Sequence, residues 1–119
     1  RVFGKNERTK KRNDTMKIYL AGPMTGIKDY NYPAFNAEAA RLRALGYTVE
    51  NPAQNPACDS WEGYMKQAIC QLVKCDSVAF LPGWSNSRGA LIERALAFDL
   101  KIPVCAANEV TDFCLGETK

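Results

Sequence analysis

The chain has 119 residues, of which 46% are apolar and 24% charged, the composition of one folded domain and not of a disordered polyelectrolyte. It contains no histidine, which removes Ser–His and Cys–His catalysis and the usual zinc enzymes, and no apolar run nears the ~18–20 residues that cross a bilayer. Five cysteines without C-x-x-C spacing read as free thiols in a reducing, cytoplasmic setting, with no metal site and no disulfide framework.

The net charge of +3 is unevenly spread. Residues 1–15 hold six basic residues (Arg1, Lys5, Arg8, Lys10, Lys11, Arg12) against Glu7 and Asp14, a balance of +4, so residues 16–119 carry −1. The first segment reads as a basic, disordered, solvated tail: an arm, an upstream reading-frame extension or an expression remnant. The folded domain is expected over 16–119. Its near-neutral body argues against a nucleic-acid face, which normally spreads basic residues over a folded surface.

Lys17–Ala21 (KIYLA) predicts a strand, broken by Gly22-Pro23 and Gly26. Ala34–Leu45 predicts a helix with Phe35, Ala39, Leu42 and Leu45 on one face, closed by Gly46. Tyr47–Glu50 is a second strand, stopped at Asn51-Pro52. Ser60 caps a helix from Trp61 to about Lys74, with apolar stripes Tyr64–Ala68–Leu72 and Met65–Ile69–Val73. Asp76–Leu81 is a continuous apolar strand, as expected when both faces are covered. Asn86 or Ser87 caps a helix over Gly89–Leu100, and Lys101–Cys105 is the last strand. Ala106–Lys119 is weakly patterned, with room for one short helix.

Strands alternating with helices imply a Rossmann-like, flavodoxin-like doubly wound parallel sheet of four to five strands in a single α/β domain. Such sheets bind ligands at the carboxyl ends of their strands, where strand order reverses. That rule selects two loops, Gly22–Asn31 and Pro82–Gly89.

The first loop, Ala21-Gly22-Pro23-Met24-Thr25-Gly26, lets a ligand approach the backbone, though it matches neither dinucleotide nor P-loop glycine patterns. In the second, the amides of a helix start, the Ser87 hydroxyl and Arg88 suit a phosphate. Glu93 follows one turn inside that helix. A carboxylate beside a sugar phosphate can act as a glycosidic nucleophile. The plainer alternative is that Ser87 is only an N-cap and Glu93 forms a helix salt bridge. Tyr30, Tyr32 and Trp84 can stack on a nucleobase or pack on helix ends. The cysteines read as core residues.

Together the two loops resemble the nucleoside 2-deoxyribosyltransferase superfamily. Met16-Lys17-Ile18-Tyr19-Leu20-Ala21-Gly22-Pro23-Met24-Thr25-Gly26 is similar to its opening strand and loop, and Ser87-x-Gly89-x-x-x-Glu93 to its signature helix. More closely, the chain resembles a small phage and bacterial branch often described only as a domain of unknown function. That branch has the pattern Y-L-A-G-P-M-T-G … Y-N-Y-P-A-F-N … N-P-A … W-E-x-Y-M … C-D-x-V-x-x-L-P-G-W-x-x-S-R-G-A-x-x-E. The likeness spans Met16 to about Val104.

The resemblance implies cleavage of the N-glycosidic bond of a 2′-deoxynucleoside or its 5′-monophosphate, by transfer to another base or to water, in a homodimer or higher oligomer without a cofactor. It implies that Glu93 is the nucleophile and that Tyr19 orients it. Ser87 and Gly89 would contact the 5′ group, and Gly22 with its neighbours would line the sugar or phosphate site. Pro23, Met24, Gly26, Trp84 and Arg88 complete the expected substrate-binding set. One position departs from the family: Ala68 stands where an Asp usually assists proton transfer to the base. Asp59, Glu62 or a neighbouring subunit could replace it. Otherwise the chain is a catalytically weak or inactive nucleotide-binding protein using the same pocket.

Overall fold

The computed structural model describes residues 16–111. The expected basic tail over 1–15 and the end of the weakly patterned C-terminal segment lie outside the described residues. Four strands, β1 (Lys17–Ala21), β2 (Thr48–Glu50), β3 (Ser77–Phe80) and β4 (Val104–Ala106), form one sheet in the order β2-β1-β3-β4. Every neighbouring pair is parallel, with Tyr19 opposite Glu50 on one side and opposite Val78 on the other. Three helices connect them: α1 (Tyr32–Ala44), α2 (Trp61–Leu72) and α3 (Arg88–Asp99). This is the doubly wound α/β domain the alternating pattern implies, and strand order reverses between β1 and β3.

The two-residue period of the strands sorts the core into two layers. Ile18 and Leu20 of β1, with Ala79 and Leu81, face Phe35, Ala39 and Leu42 of α1. Tyr19 and Ala21, with Val78 and Phe80, face Ala68 and Leu72 of α2 and Ala90 and Ala97 of α3. Both faces of β3 are therefore covered, which is why its sequence shows no polar alternation.

The caps explain the boundaries. The Ser60 hydroxyl accepts from the Gly63 amide at 2.9 Å, and Ser87 rather than Asn86 caps α3 by accepting from Ala90 at 3.2 Å. Gly46, at φ +105, closes α1: its amide bonds Arg43 and the Tyr47 amide bonds Leu42. The same closure ends α3, but with Lys101 at φ +58 in the glycine position, its amide on Phe98 and that of Ile102 on Ala97. This turn, followed by Pro103, delays the last strand, which begins at Val104 and not at Lys101. In α2 the two expected stripes merge into one buried line, Met65, Ala68 and Leu72, while Val73 lies past the helix end and is exposed. Cys75 is buried, but Cys58 and Cys70 are exposed, against the expectation that the cysteines fill the core. No described helix is long and apolar enough to cross a membrane.

The chain past β4 makes a short turn over Ala107–Glu109, with Ala107 and Val110 buried against α1. Arg41 of α1 fixes it. Its guanidinium donates to the Ala107 carbonyl at 2.8 Å and the Val110 carbonyl at 3.1 Å while Glu38 holds it from the side at 2.5 Å. Replacing Arg41 with Ala is expected to cost about 1–3 kcal/mol, because the Val110 carbonyl loses its donor and the Ala107 carbonyl keeps only the Val110 amide. Arg41→Lys should recover only part of that, since one ammonium cannot span both carbonyls and the carboxylate. Chemical denaturation of the three proteins checks the order.

Candidate functional site

The site forms at the carboxyl ends of β1 and β3. Two loops leave the sheet there side by side, and their approach is closer than side chains would allow. A Cβ on Gly22 would lie 2.9 Å from the Leu81 Cβ, and one on Gly83 would lie 3.4 Å from the Pro23 ring. Gly83 also turns the chain at φ +87. Behind these loops opens a cavity of about 890 Å³.

At its floor, the Tyr19 hydroxyl donates to Glu93 Oε2 at 2.6 Å. Both groups are buried, Tyr19 at 1% and Glu93 at 4% exposure. Tyr19 points there because it alternates with Ile18 and Leu20 in β1. Glu93 points there because it shares the inward face of α3 with Ala90 and Ala97, whose small side chains bring the helix close to the sheet. Among the described residues Glu93 forms no salt bridge, and its Oε1 takes no hydrogen bond. Burial pushes the Glu93 carboxyl up to about 7, against the opposing pull of the Tyr19 hydrogen bond. Burial, together with the carboxylate beside it, raises the Tyr19 phenol well above its ordinary value, so it stays a donor.

The N-terminus of α3 forms one wall. Ser87, Arg88 and Gly89 all line the cavity. The Ser87 oxygen is occupied as acceptor by its capping bond, which leaves its proton free to donate. The Arg88 and Gly89 amides belong to the first turn, where no intrahelical acceptor exists. The Arg88 guanidinium lies over the Trp61 ring, 4.1 Å from its centre, and pairs with no carboxylate among the described residues. Gly89 permits this arrangement: a Cβ there would lie 3.1 Å from the Met65 sulfur.

Of the residues expected from sequence, Tyr19, Gly22, Pro23, Met24, Ser87, Arg88, Gly89 and Glu93 line one cavity. Gly26 and Trp84 do not line it. Gly26 sits at φ +86 in an open turn, and the Trp84 ring folds back on Phe80, their centres 4.9 Å apart. Neither Asp59 nor Glu62 reaches the cavity wall, and Ala68 is 1% exposed within the apolar layer behind Tyr19. Glu93 is thus the one carboxyl group among the described lining residues.

Sequence reasoning did not single out Trp61 and Tyr64, which α2 contributes to the wall. The Tyr64 hydroxyl donates to the Pro52 carbonyl at 2.8 Å and lies 3.2 Å from the Met24 sulfur, tying α2 to the loops after β2 and β1. Burial raises its phenol above the ordinary range. The aromatic spacing Trp61-x-x-Tyr64 was the available signal, hidden because it reads equally as a core stripe. Tyr30 and Tyr32 also line the cavity, their rings 5.9 Å apart. Tyr30 stands in a run of three left-handed residues, Asp29, Tyr30 and Asn31, at φ 54, 53 and 61. Asn31 anchors the run by donating from Nδ2 to the Pro23 carbonyl at 3.0 Å.

The buried carboxyl sets a testable linkage. Its folded-state value near 7 lies above the ordinary 4.5, so the folded chain holds a proton that the unfolded chain releases. The stability it contributes is full below 4.5 and is lost as pH rises through about 7. Glu93→Gln keeps an acceptor for Tyr19 without that linkage. Its stability relative to the unaltered protein is expected to improve by about 3 kcal/mol across this window. Denaturant titrations of both proteins on either side of the window measure the difference.

The family model described as a domain of unknown function, DUF4406, matches residues 16–106. No curated protein matches the chain. Among solved structures, the chain is similar to the 2-deoxyribosyltransferase from the psychrotolerant bacterium Bacillus psychrosaccharolyticus, described as a biocatalyst for nucleoside synthesis. The two are 25% identical, with a TM-score of 0.58, over 74% of this chain and 69% of that one. The chain belongs to the DUF4406 family, and its fold is that of a 2-deoxyribosyltransferase.

Proposed function

We propose that the protein cleaves the N-glycosidic bond of a 2′-deoxynucleoside 5′-monophosphate, with Glu93 as nucleophile and hydrolysis favoured over base exchange. The carrying observation is the buried Tyr19–Glu93 hydrogen bond at the floor of a cavity whose wall is the start of α3. The phosphate sits against Ser87, Arg88 and the first amides of α3, where dipole and side-chain charge both favour an anion. This places the sugar over Glu93. Tyr19 holds Oε2 and leaves Oε1 to attack the anomeric carbon. As the C1′–N bond breaks, positive charge grows on the sugar and the carboxylate stabilises it before forming the covalent ester. Water then attacks C1′ and releases the sugar phosphate. Tyr30, Tyr32 and Trp61 offer aromatic faces to the base.

A second reading has its own observation. Ala68 is apolar and buried, and no second carboxyl lines the described cavity to protonate a departing base. A protein so built binds the nucleotide without turnover. The homodimer or higher oligomer belongs to the proposal as well. Leu91 and Phe98, seven residues apart on α3 and exposed at 46% and 72%, offer it an apolar face.

Free base released from a deoxynucleotide panel without acceptor is the primary measurement. Glu93→Ala is expected to lower the rate by ~10³-fold or more, as loss of a nucleophile does. Nucleotide binding without product, unchanged in Glu93→Gln, selects the second reading. Tyr19→Phe removes the bond that holds the carboxyl down, so the ascending limb of the pH–rate profile, set near 7 by Glu93, should move to higher pH. Phe98→Glu should leave the fold intact and yield monomers, read by light scattering.

A further inference from the structure

We propose that the substrate's leaving base carries a positive charge on its ring before the bond breaks, as in an N7-alkylated purine or a pyridinium nucleotide. The inference rests on the glycosidase reading above and narrows it to a class of base.

A neutral base leaves a sugar as an anion unless an acid protonates it, and a missing general acid costs typically ~10²–10⁴-fold. The described cavity is poor in such acids. Glu93, its one carboxyl, stands at the sugar as nucleophile. The Tyr19 proton is committed to Glu93 and the Tyr64 proton to the Pro52 carbonyl; Tyr30 and Tyr32 remain on the wall, but a phenol is a far weaker acid than the carboxyl it would replace. A guanidinium such as that of Arg88 is too weak an acid to protonate a departing base. Behind Tyr19, Ala68 of α2 lies inside the apolar layer and offers no acid either.

What the cavity does supply suits a cation. Tyr30, Tyr32 and Trp61 present ring faces, Met24 and Met65 add polarisable sulfur, and the one acidic group among the described lining residues is the carboxyl of Glu93. Trp61 already holds one planar cation, the Arg88 guanidinium at 4.1 Å. Arg88 occupies that face of Trp61 and stands at the start of α3 with the phosphate, which leaves the Tyr30 and Tyr32 rings for the base.

The reaction then balances without an acid. The C1′–N bond breaks and its electron pair returns to the ring nitrogen, which neutralises the base. Glu93 Oε1 forms the bond to C1′. Water attacks C1′, the ester bond breaks with its pair returning to Glu93, and the water proton passes to solvent. The products are the sugar phosphate, a neutral base and one proton.

The test compares 2′-deoxyguanosine 5′-monophosphate with its N7-methyl derivative, which differ by one methyl group and one charge. The four unmodified deoxynucleotides and the 2′-deoxy form of nicotinamide mononucleotide complete the set. Free base is measured chromatographically, and spontaneous loss is subtracted with the Glu93→Ala protein at equal concentration. The expected result is a kcat/KM for a cationic nucleotide at least a hundredfold above that for any neutral one. Tyr32→Leu should raise KM for the cationic substrate several-fold while kcat holds. Comparable rates for neutral and cationic bases, or turnover of neutral ones alone, overturn the charge requirement and leave the glycosidase reading standing. Absence of free base from every nucleotide, with folded protein, overturns both.

Discussion

The arrangement of this protein follows from one buried hydrogen bond, that between the Tyr19 hydroxyl and the Glu93 carboxyl. A carboxylate is among the last groups a folded chain removes from water, and here it lies on the inward face of a helix between two alanines. The alanines are part of the solution. They draw α3 close enough to the sheet for a strand tyrosine to reach the carboxyl. The tyrosine cannot relieve the burial entirely, so the carboxyl stays near neutrality and moves between acid and anion over a narrow pH range. A fold built for stability alone would fill this space with apolar side chains.

The sheet order supplies the rest. Reversal between β1 and β3 leaves a crevice at their carboxyl ends, and the two loops that border it are locked by contacts only glycine permits. Tyr64 fastens α2 to the loops after β1 and β2, and Gln71 adds bonds to Asn55 and Glu50, so the three elements hold one another in place. The cavity wall is most unusual in backbone where the aromatic rings of positions 30 and 32 stand.

Much of this was legible in the sequence, for identifiable reasons. Ser60, Ser87 and Gly46 each act through a local hydrogen bond or a local backbone angle, so a few neighbouring residues reveal them. The crevice was legible because a parallel sheet of this kind admits few topologies. Glu93 itself was ambiguous, since its spacing fits a surface salt bridge as well as a buried cavity residue, and only its hydrogen bond to Tyr19, 74 positions away, separates the two. The late start of β4 was hidden because Lys101 fills a position that normally announces itself as glycine. Trp84 misled for a different reason: an aromatic beside a binding loop carries no mark of which way its ring turns, and this one turns to Phe80. Trp61 and Tyr64 reach the wall from a helix whose apolar pattern says only that one side is covered.

The left-handed run over Asp29, Tyr30 and Asn31 has a consequence for engineering. A tyrosine held in this conformation costs about 1–2 kcal/mol that glycine would not incur, whereas Asp and Asn bear it readily. A redesign guided by thermostability alone would therefore place glycine at position 30 and keep Asn31, whose amide ties the segment to Pro23. It would relieve the backbone while deleting the ring that Tyr30 brings to the cavity. At this one position the optimum for the scaffold and the optimum for the pocket are different residues, and any library that screens for one will drift from the other.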